Sequence, residues 1–362
     1  MKRYPAYEFP EYVQWSPDPE VQAAFDQATT TDPDRKALIA GLAESRLLDL
    51  YRGLVSARLH DIQLKRWVKQ GVITKAWLGS GEEAVTVGAC AALGAEDVVG
   101  PMIRNASALI ERGVDLRACF AAYLGTEDSI TGGRDLHIGD PARGVIPPIS
   151  HVADLVPVMA GCALAFKLKK QASVALTWTG DGSTATGAFH EGMRMAAATS
   201  APLICVVQDN RVALGTKGDA HFKGDLAAMG PGYGITTLEM DGNHILDCYA
   251  TTALAVARCR AGEGPVMIVA RTFRMGGHAT HDEREARALF PDETYAYWGK
   301  RDPVGMYEHW LITARGISED RLSTIERDAA DRIEAAAADA VSRREIAAPD
   351  PTTVTDGVYG EV

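Results

Sequence analysis

The chain has 362 residues, of which 46% are hydrophobic and 23% charged, and its formal net charge at pH 7 is −11. This acidic balance argues against a nucleic-acid-binding protein, and no apolar run reaches the length of a membrane span. The first residues lack the apolar segment of a secretory signal, and the six cysteines lie singly with no C-x-x-C pair. We therefore expect a cytoplasmic protein with buried, reduced thiols.

The apolar pattern along the chain predicts an α/β protein with a parallel sheet flanked by helices. Residues 1–40, rich in proline, aspartate and aromatic residues, are expected to form an extended N-terminal arm that lies across a surface. The α/β domain is predicted over residues 41–345, followed by a tail over residues 346–362. Helical spacing is found in residues 36–70, 155–161, 188–198, 245–261 and 319–343, and strand-like runs in residues 174–178, 203–207, 235–240 and 266–270. The last helix is expected to be largely solvent-exposed, because it is rich in alanine and charged residues.

Polar residues follow two consecutive strands of this pattern. Gly180-Asp181-Gly182 ends the first strand, and Asn210 follows the second, so that the segment forms one β-α-β unit. Ligands of open parallel sheets bind at the carboxyl ends of the strands. A carboxylate and an amide oxygen meeting there can hold a Mg²⁺ that also takes phosphate oxygens. The glycines would let a diphosphate approach the backbone, and a following helix N-terminus would favour its negative charge.

Two other interpretations of this motif remain open on local pattern alone. Residues 180–185 also fit the G-x-G-x-x-A dinucleotide pattern of an NAD-binding oxidoreductase, with Asp209 as a ribose acceptor. That placement aims Asp181 at a bare pyrophosphate, which repels it unless a cation intervenes. The motif could also be a plain glycine-rich turn between a strand and a helix. The pairing with Asn210 across a complete β-α-β unit favours the metal-binding interpretation.

The segment from Gly180 to Asn210 resembles the signature of thiamine diphosphate enzymes. Residues 180–191 are similar to the α subunit of the E1 component of 2-oxo acid dehydrogenase complexes, and the resemblance extends over about residues 50–311. Further matching motifs are Gly81-Glu82-Glu83-Ala84, Gly132-Gly133-Arg134, Gly230-Pro231-Gly232-Tyr233-Gly234, Asp241-Gly242-Asn243 and Arg274-Met275-Gly276-Gly277-His278.

This resemblance implies a thiamine diphosphate-binding fold, in its diphosphate-binding half, with Mg²⁺ as the second cofactor. It implies oxidative decarboxylation of a 2-oxo acid, either pyruvate or a branched-chain acid, and transfer of the acyl group to the lipoyl group of the E2 component. The α subunit of an acetoin-type dehydrogenase is the related alternative. An NAD-binding oxidoreductase is the more distant one.

The loop after the last predicted strand carries His278. Composition alone allows a metal site, a polar surface loop or a catalytic histidine here. The resemblance implies that His278 is the catalytic histidine beside the reactive carbon of the cofactor, and that Asp282 matches a following aspartate of the family. An earlier histidine of the family is replaced by Gly277 or Met275, and a serine that is phosphorylated in some relatives is replaced by Ala279.

The resemblance also implies contacts to the rest of the cofactor. Val152 takes the place of the aliphatic side chain that wedges between the two rings, and Ser150 is expected to contact the aminopyrimidine through its backbone. Arg104 is the expected diphosphate clamp, since arginine suits phosphate groups. Ile103 stands where the family usually has a tyrosine.

Around the metal, the resemblance implies six oxygen ligands. Two come from the diphosphate, one from water, and the others from Asp181, Asn210 and the backbone carbonyl of Val212. Gln208 is expected to reach the phosphates, and Thr186 replaces a usual glutamate. The predicted cofactor-binding residues are Arg104, Ser150, Val152, Gly180, Asp181, Gly182, Ser183, Gln208, Asn210 and His278, and the predicted metal ligands are Asp181, Asn210 and Val212.

Two further histidines keep open roles. His137 either faces the substrate or anchors its loop. His151 is either a second active-site imidazole or, as we favour, a loop residue.

One expected group is missing from the sequence. We find no carboxylic acid suited to protonate the pyrimidine N1′ of the cofactor, and in the E1 α/β family that glutamate comes from a separate β subunit. The resemblance therefore implies an α₂β₂ heterotetramer with active sites at its α–β interfaces. The other implied partner is the lipoyl domain of E2.

Overall fold

The computed structural model of the chain describes residues 2–3, 13–353 and 355–356. Predictions for the remaining residues of the N-terminal arm and the C-terminal tail lie outside the described residues. The strands are β1 Lys2–Arg3, β2 Val13–Gln14, β3 Val98–Gly100, β4 Ala175–Gly180, β5 Leu203–Asp209, β6 Val212–Ala213, β7 Thr216–Lys217, β8 Thr236–Asp241 and β9 Val266–Arg271. The helices are α1 Pro19–Thr31, α2 Pro33–Ala40, α3 Glu44–Lys69, α4 Glu83–Ala91, α5 Ser107–Glu111, α6 Leu116–Leu124, α7 Leu155–Leu168, α8 Gly187–Thr199, α9 Gly218–His221, α10 Met229–Gly232, α11 Ile245–Arg260, α12 Glu283–Arg287, α13 Asp292–Lys300, α14 Pro303–Arg315 and α15 Glu319–Ser342.

A five-stranded sheet with the order β3-β4-β5-β9-β8 forms the centre of the molecule. All four strand pairs are parallel, and the register places Thr177 beside Cys205 and Val206 beside Ile268. Strands β4, β5 and β9 are buried almost throughout, as expected when helices cover both faces of a parallel sheet. The predicted parallel sheet flanked by helices is confirmed.

The strand residues alternate between two cores, because successive side chains of a strand point to opposite faces. In β5, Ile204 and Val206 join a core shared with α3, α4 and α11. Leu203, Cys205 and Val207 join a second core built with α7 and α8. This alternation fixes which helices cover which face, and it leaves only the ends of the strands accessible.

The segment before residue 41 differs from the extended arm that the sequence predicted. Helix α1 begins after Asp18, whose side chain accepts hydrogen bonds from the backbone of the first turn, and α2 begins in the same way after Asp32. An aspartate N-cap followed by proline at the first helical position is a strong start signal for a helix. Phe25 of α1 stacks on His244 with ring centroids 3.6 Å apart, so this segment packs on the domain.

The closing helix α15 agrees with the predicted helix over residues 319–343, but it is not solvated on all sides. A stripe of apolar side chains on one face is buried against α3 and α6. These residues are Leu322, Ile325, Ala329, Ile333, Ala337 and Ala340. Their spacing of three and four residues is that of an amphipathic helix.

The division of the chain into an arm, a domain and a tail at residues 40 and 345 stays a prediction.

The cysteines are single, as the sequence indicated, and none of the six is disulfide-bonded. Burial raises the pKa of Cys119 and of Cys205 to about 12, so these thiols stay protonated and unreactive near neutral pH.

Within the described ranges, no helix has both the length and the apolar character needed to cross a membrane.

Candidate cofactor site

A cavity of about 500 Å³ opens at the carboxyl ends of β3, β4, β5 and β9. Its walls come from the segments that follow these strands and from the loop that leads into α7. Of the predicted site residues, those that line it are Arg104, Ser150, Val152, Gly180, Asp181, Gly182, Ser183, Asn210, Val212 and His278. The fold therefore brings together residues that lie as far as 174 positions apart in the chain. Gln208 is the one predicted site residue that does not line the cavity.

Asp181 follows β4 directly and is buried at the base of the cavity. Its Oδ1 accepts a hydrogen bond of 2.8 Å from the backbone N–H of Gly182. Its Oδ2 is buried and receives no hydrogen bond from the described residues; Nε2 of His221 lies 3.5 Å away. Burial raises the pKa of Asp181, and the Gly182 hydrogen bond partly opposes this. Because an unsatisfied buried oxygen costs free energy, this carboxylate fits a bound cation.

Asn210 lies beyond the end of β5, the strand next to β4. Its Nδ2 donates to Oε1 of Glu82 at 3.0 Å, which leaves Oδ1 as an acceptor with only a 3.4 Å contact to the N–H of Val212. Between them, Arg211 has a left-handed backbone with φ of 69°, so the chain turns and both Asn210 and Val212 line the cavity. An amide oxygen thus lies beside a carboxylate at one edge of the sheet.

The donor set of this edge fits Mg²⁺ bound together with a diphosphate. The predicted protein ligands, Asp181, Asn210 and Val212, offer oxygen only, which suits a hard cation. Among the described residues no group of three His, Cys, Asp or Glu side chains could hold a metal ion. The alternative metal site at His278, His281 and Asp282 is therefore not formed. With one carboxylate, the Asp181 site needs further oxygen ligands, of the kind that a bound diphosphate would offer.

The helix that follows β4 agrees with the predicted helix over residues 188–198, but its N-terminus does not adjoin the end of the strand. A short 3₁₀ turn, Asp181–Ala185, comes first, and α8 begins only at Gly187 with Thr186 as its N-cap. Because the Thr186 hydroxyl accepts from the N–H of Phe189, the N-terminus of α8 is already capped. Gly182 and Ser183 of the 3₁₀ turn line the cavity in place of that helix.

Glu82 is a central residue of the site that sequence reasoning left without a role. Its Oε1 accepts hydrogen bonds from Nδ2 of Asn210 and from Nε2 of Gln208, the latter at 2.9 Å. Gln208 also accepts at Oε1 from Asn105, at 2.8 Å, so both of its amide atoms are used in a buried network. The structure therefore places Gln208 as a support of Asn210, through Glu82, and away from the cavity where phosphates would bind.

His278 lines the cavity and is held by Arg104. One Arg104 Nη atom lies 3.2 Å from both Nδ1 and the carbonyl oxygen of His278. Burial, followed by the charges of Arg104 and Arg274, lowers the pKa of His278 to about 4. The ring is therefore neutral near pH 7, and because Nδ1 accepts from Arg104, the ring proton lies on Nε2.

The His278 loop owes its shape to Asp282. The two carboxylate oxygens of Asp282 accept from the backbone N–H groups of His278, at 3.1 Å, and Ala279, at 2.8 Å. A Cβ on Gly277 would lie 2.4 Å from the carbonyl oxygen of Ala279 and 2.7 Å from Oδ1 of Asp282. The loop thus excludes a side chain at position 277, one of the two positions that the resemblance gives for the second imidazole.

The sequence model of the dehydrogenase E1 component family matches residues 51–348. The chain belongs to this family. It is 32% identical over 288 residues to the pyruvate dehydrogenase E1 component subunit alpha of Acholeplasma laidlawii, a match that covers 79% of this chain and 81% of that protein. It is also 32% identical over 276 residues to the mitochondrial 2-oxoisovalerate dehydrogenase subunit alpha of Pan troglodytes, and 31% identical over the same length to that of Homo sapiens. The latter matches cover 75% of this chain and 62% of each relative, so the chain matches less than two thirds of their length.

The predicted resemblance to E1 α subunits of 2-oxo acid dehydrogenases is confirmed by this membership. The relatives are α subunits of dehydrogenases named for pyruvate and for 2-oxoisovalerate. The interpretation of residues 180–185 as an NAD-binding motif is thereby set aside.

Among the residues that line the cavity of this E1 family chain and that sequence reasoning did not assign are Trp77 and Arg274. Trp77 comes from the segment after α3, and Arg274 from the segment after β9. Arg274 donates to the carbonyl oxygens of Leu214, at 2.7 Å, and Gly276, at 3.2 Å, and burial followed by the charge of Arg104 lowers its pKa to about 10. The motif Arg274 to His278 was visible in the sequence, but nothing in it showed that the arginine faces the same cavity as the histidine.

At the mouth of the E1 cavity lie Ser150 and Val152, on the loop before α7. Val152 is 56% exposed, so its side chain is available to an incoming group. Ser150 Oγ lies 2.6 Å from Nε2 of His137, which also lines the cavity, whereas His151 is exposed and does not line it. Of the two histidines with open roles, His137 is therefore the one at the site.

Proposed function

We propose that the chain is the α subunit of the E1 component of a 2-oxo acid dehydrogenase complex, and that it binds thiamine diphosphate through Mg²⁺. Together with a β subunit it would decarboxylate a 2-oxo acid and transfer the acyl group to the lipoyl group of E2. The observation that carries this proposal is the buried Oδ2 of Asp181, which has no hydrogen-bond donor among the described residues and lies at the strand ends of an E1 family fold.

The residues of the cavity divide into two groups by the part of the ligand they suit. Asp181, Asn210 and the carbonyl of Val212 would hold Mg²⁺, while the glycines after β4 let phosphate groups approach the backbone. Arg104 and Arg274 supply positive charge to the same cavity, which favours an anionic ligand. This division supports a diphosphate at the strand ends.

When bound, thiamine diphosphate supplies the electron sink that decarboxylation of a 2-oxo acid requires. The protein must orient the reacting groups and control their protons. His278 is neutral, and its Nε2–H is free to donate a hydrogen bond to an oxygen atom in the cavity, since Nδ1 is engaged by Arg104. We propose this Nε2 atom as the group that assists acyl transfer.

Two features support a partner at the mouth of the cavity. Asp181 is the only carboxylate among the described lining residues, so the acid expected at the pyrimidine end of the cofactor must come from elsewhere. Apolar side chains at the mouth are left exposed, with Val152 at 56% and Leu214 at 60%. Both features support a β subunit in an α₂β₂ heterotetramer, whose active sites the lipoyl domain of E2 would then reach.

The substrate is proposed as pyruvate or a branched-chain 2-oxo acid, since relatives named for each kind are 32% identical to this chain. A cytoplasmic location is part of the same proposal and rests on the six free cysteines.

The test is to co-express the chain with a β subunit of the same organism and to follow reduction of an artificial electron acceptor. Pyruvate, 3-methyl-2-oxobutanoate and acetoin are compared, each with and without Mg²⁺ and thiamine diphosphate. We expect turnover of a 2-oxo acid that requires both subunits and both cofactors. Full activity of the single chain would contradict the β-subunit part of the proposal. An assembled pair that turns over acetoin alone, or nothing, would contradict the 2-oxo acid part.

A further inference from the structure

Three polar side chains form a continuous hydrogen-bonded chain at the mouth of the cavity. Oδ2 of Asp135 lies 2.6 Å from Nδ1 of His137, and Nε2 of His137 lies 2.6 Å from Oγ of Ser150. Asp135 and His137 belong to the loop after α6, and Ser150 to the loop before α7. Two separate loops therefore meet to place a carboxylate, an imidazole and a hydroxyl in line.

The order of these groups determines where the protons lie. Oδ1 of Asp135 accepts from the backbone N–H of Leu136 at 2.6 Å, so the carboxylate is fixed and acts as an acceptor toward His137. His137 therefore carries a proton on Nδ1, and in the neutral ring Nε2 accepts the hydroxyl proton of Ser150. When Nε2 takes up a proton, it donates to Oγ, and the Ser150 hydroxyl is free to donate into the cavity. Carboxylate, imidazole and hydroxyl in this order constitute a proton-transfer unit.

The arrangement contains more than a loop anchor needs. The single bond between His137 and Ser150 would be enough to join the two loops. The carboxylate on Nδ1 adds a fixed ring tautomer, which matters only if Nε2 exchanges a proton. The side chain of His137 is 25% exposed and that of Asp135 is 55% exposed, so neither is a buried polar group that merely needs a partner.

The two arginines of the cavity are already engaged elsewhere. Arg104 contacts His278 and lies 3.8 Å from Oε2 of Glu82, and Arg274 donates to two backbone carbonyls. Among the described hydroxyls that line the cavity, Ser150 is the one that is hydrogen-bonded to an imidazole.

We infer that Asp135, His137 and Ser150 form a proton relay that serves an oxygen atom of the 2-oxo acid substrate. Ser150 is the group that hydrogen-bonds the substrate oxygen and gives it the hydroxyl proton. Its Oγ takes in exchange the Nε2 proton of the His137 imidazolium, which His137, 25% exposed, has taken up from water. The reverse transfers return these protons, and His137 and Asp135 act as positioning residues. A 2-oxo acid suits such a relay because its carbonyl oxygen gains negative charge when the carbonyl carbon is attacked. This inference rests on the proposed function, which supplies the substrate class.

The experiment uses the co-expressed α/β complex and compares Ser150→Ala, Ser150→Thr, Asp135→Asn and the double variant Asp135→Asn/Ser150→Ala. His151→Gln is the matched control, since this exposed histidine neighbours Ser150 but does not line the cavity. We expect Ser150→Ala and Asp135→Asn each to lower kcat on the order of 100-fold, the range of general acid–base contributions. The double variant should be no worse than Ser150→Ala alone, because the residues act as one unit. Ser150→Thr, which keeps the hydroxyl, should recover part of the loss.

Binding of thiamine diphosphate is measured in parallel by calorimetry. A relay leaves this affinity within about threefold of wild type, whereas a loop anchor would weaken it together with kcat and make the losses add. That second pattern, or an unchanged kcat in both single variants of an active complex, would overturn the relay alone. A wild-type complex that binds cofactor but turns over no 2-oxo acid would overturn the proposed function as well.

Discussion

At the scale of single residues, Asp181 combines burial with an incomplete set of contacts. One of its oxygens accepts from Gly182, and the other has no hydrogen-bond donor in the part of the chain that the structure describes. A buried carboxylate in this state lowers the stability of the unloaded protein, because its desolvation is not offset. The geometry around Asp181 therefore suits the protein with a cation bound better than the unloaded protein.

The substitution Asp181→Asn should separate the effect of this carboxylate on cofactor binding from its effect on the stability of the unloaded protein. The amide keeps the shape of the side chain but removes the charge, so Mg²⁺-dependent binding of thiamine diphosphate should fall by more than about 100-fold, since losing only an outer contact typically costs roughly 10- to 100-fold. The melting temperature of the unloaded chain should stay the same or rise, because an uncompensated buried charge is removed. Calorimetric titration and thermal unfolding measure both quantities.

The matched control is Asp219→Asn, which changes an exposed aspartate on α9. It should leave cofactor affinity and melting temperature at their wild-type values. A variant Asp181→Asn that binds Mg²⁺ and thiamine diphosphate normally would be incompatible with Asp181 as a ligand.

The pKa of His278 should depend on Arg104. Burial is the largest cause of its fall from 6.5 to about 4, and the Arg104 charge is the next. In Arg104→Gln the pKa should therefore rise, yet stay below 6.5 because the ring remains buried. An NMR titration of ring-labelled histidine measures it, with His278→Gln to assign the signal and Arg52→Gln, an exposed arginine, as control. An unchanged value in Arg104→Gln would mean that the arginine does not act on this ring.

The direction of the shift also fixes how stability depends on pH. The folded chain holds the His278 proton less tightly than the unfolded chain does. The unfolded state therefore binds more protons as the pH falls below 6.5, and the contribution of His278 to stability decreases from there down to about pH 4.

The sequence predicted the residues that follow strands better than those that support them. Asp181 and Asn210 could be paired from sequence because the carboxyl ends of neighbouring parallel strands meet at one edge. Glu82, which supports Asn210, and Arg274, which lines the cavity, could not be placed. They come from segments far away in the chain, and no local pattern shows the direction of their side chains. Gln208 was assigned to the phosphates, but its position in β5 turns it into the buried network instead.

At the scale of helices and strands, the long apolar elements were predictable and the capped short ones were missed. Strands β4, β5, β8 and β9 and helices α8, α11 and α15 agree with the apolar pattern within a few residues. The richness of residues 1–40 in proline, aspartate and aromatic residues predicts an extended arm where the structure has α1 and α2, although aspartate followed by proline begins each helix. The same pair, Asp302 and Pro303, begins α14. Strand β3, with three residues, is too short to show alternation.

The buried stripe of α15 should contribute measurably to stability. Ile333 is almost fully buried in a core shared with α3 and α6, so Ile333→Ala should lower the free energy of unfolding by about 2–5 kcal/mol. Asp331→Ala, an exposed position on the same helix, should change it by no more than about 0.5 kcal/mol. Urea-induced unfolding compares the two. Equal small effects would show that α15 is solvated on both faces, as its composition had indicated.

At the scale of the whole molecule, the apolar mouth of the cavity is the part that a β subunit would cover. Leu214 is 60% exposed on the turn after β6, where it lines the cavity but packs little with the rest of the chain. Leu214→Asp should therefore leave the melting temperature of the isolated chain unchanged and reduce the fraction of α₂β₂ heterotetramer in a co-expressed sample. Analytical ultracentrifugation measures that fraction.

The control is Ile346→Asp, because Ile346 is 78% exposed but lies near the C-terminal end of the chain, away from the cavity. It should assemble like the wild type. If Leu214→Asp also assembled fully, the β subunit would have to contact another surface.

The parallel sheet also separates the molecule into two rims. Apart from Trp77, which follows α3, and His137, which follows α6, the segments that line the cavity leave a strand or lead into α7. The connections at residues 169–174, 200–202 and 261–265 enter strands from the opposite rim and contribute nothing to the cavity. Affinity tags, fluorescent labels or surface attachments placed in those connections would be held a full strand length from the chemistry. Attachment through these connections would therefore immobilise the protein with its cavity facing away from the support.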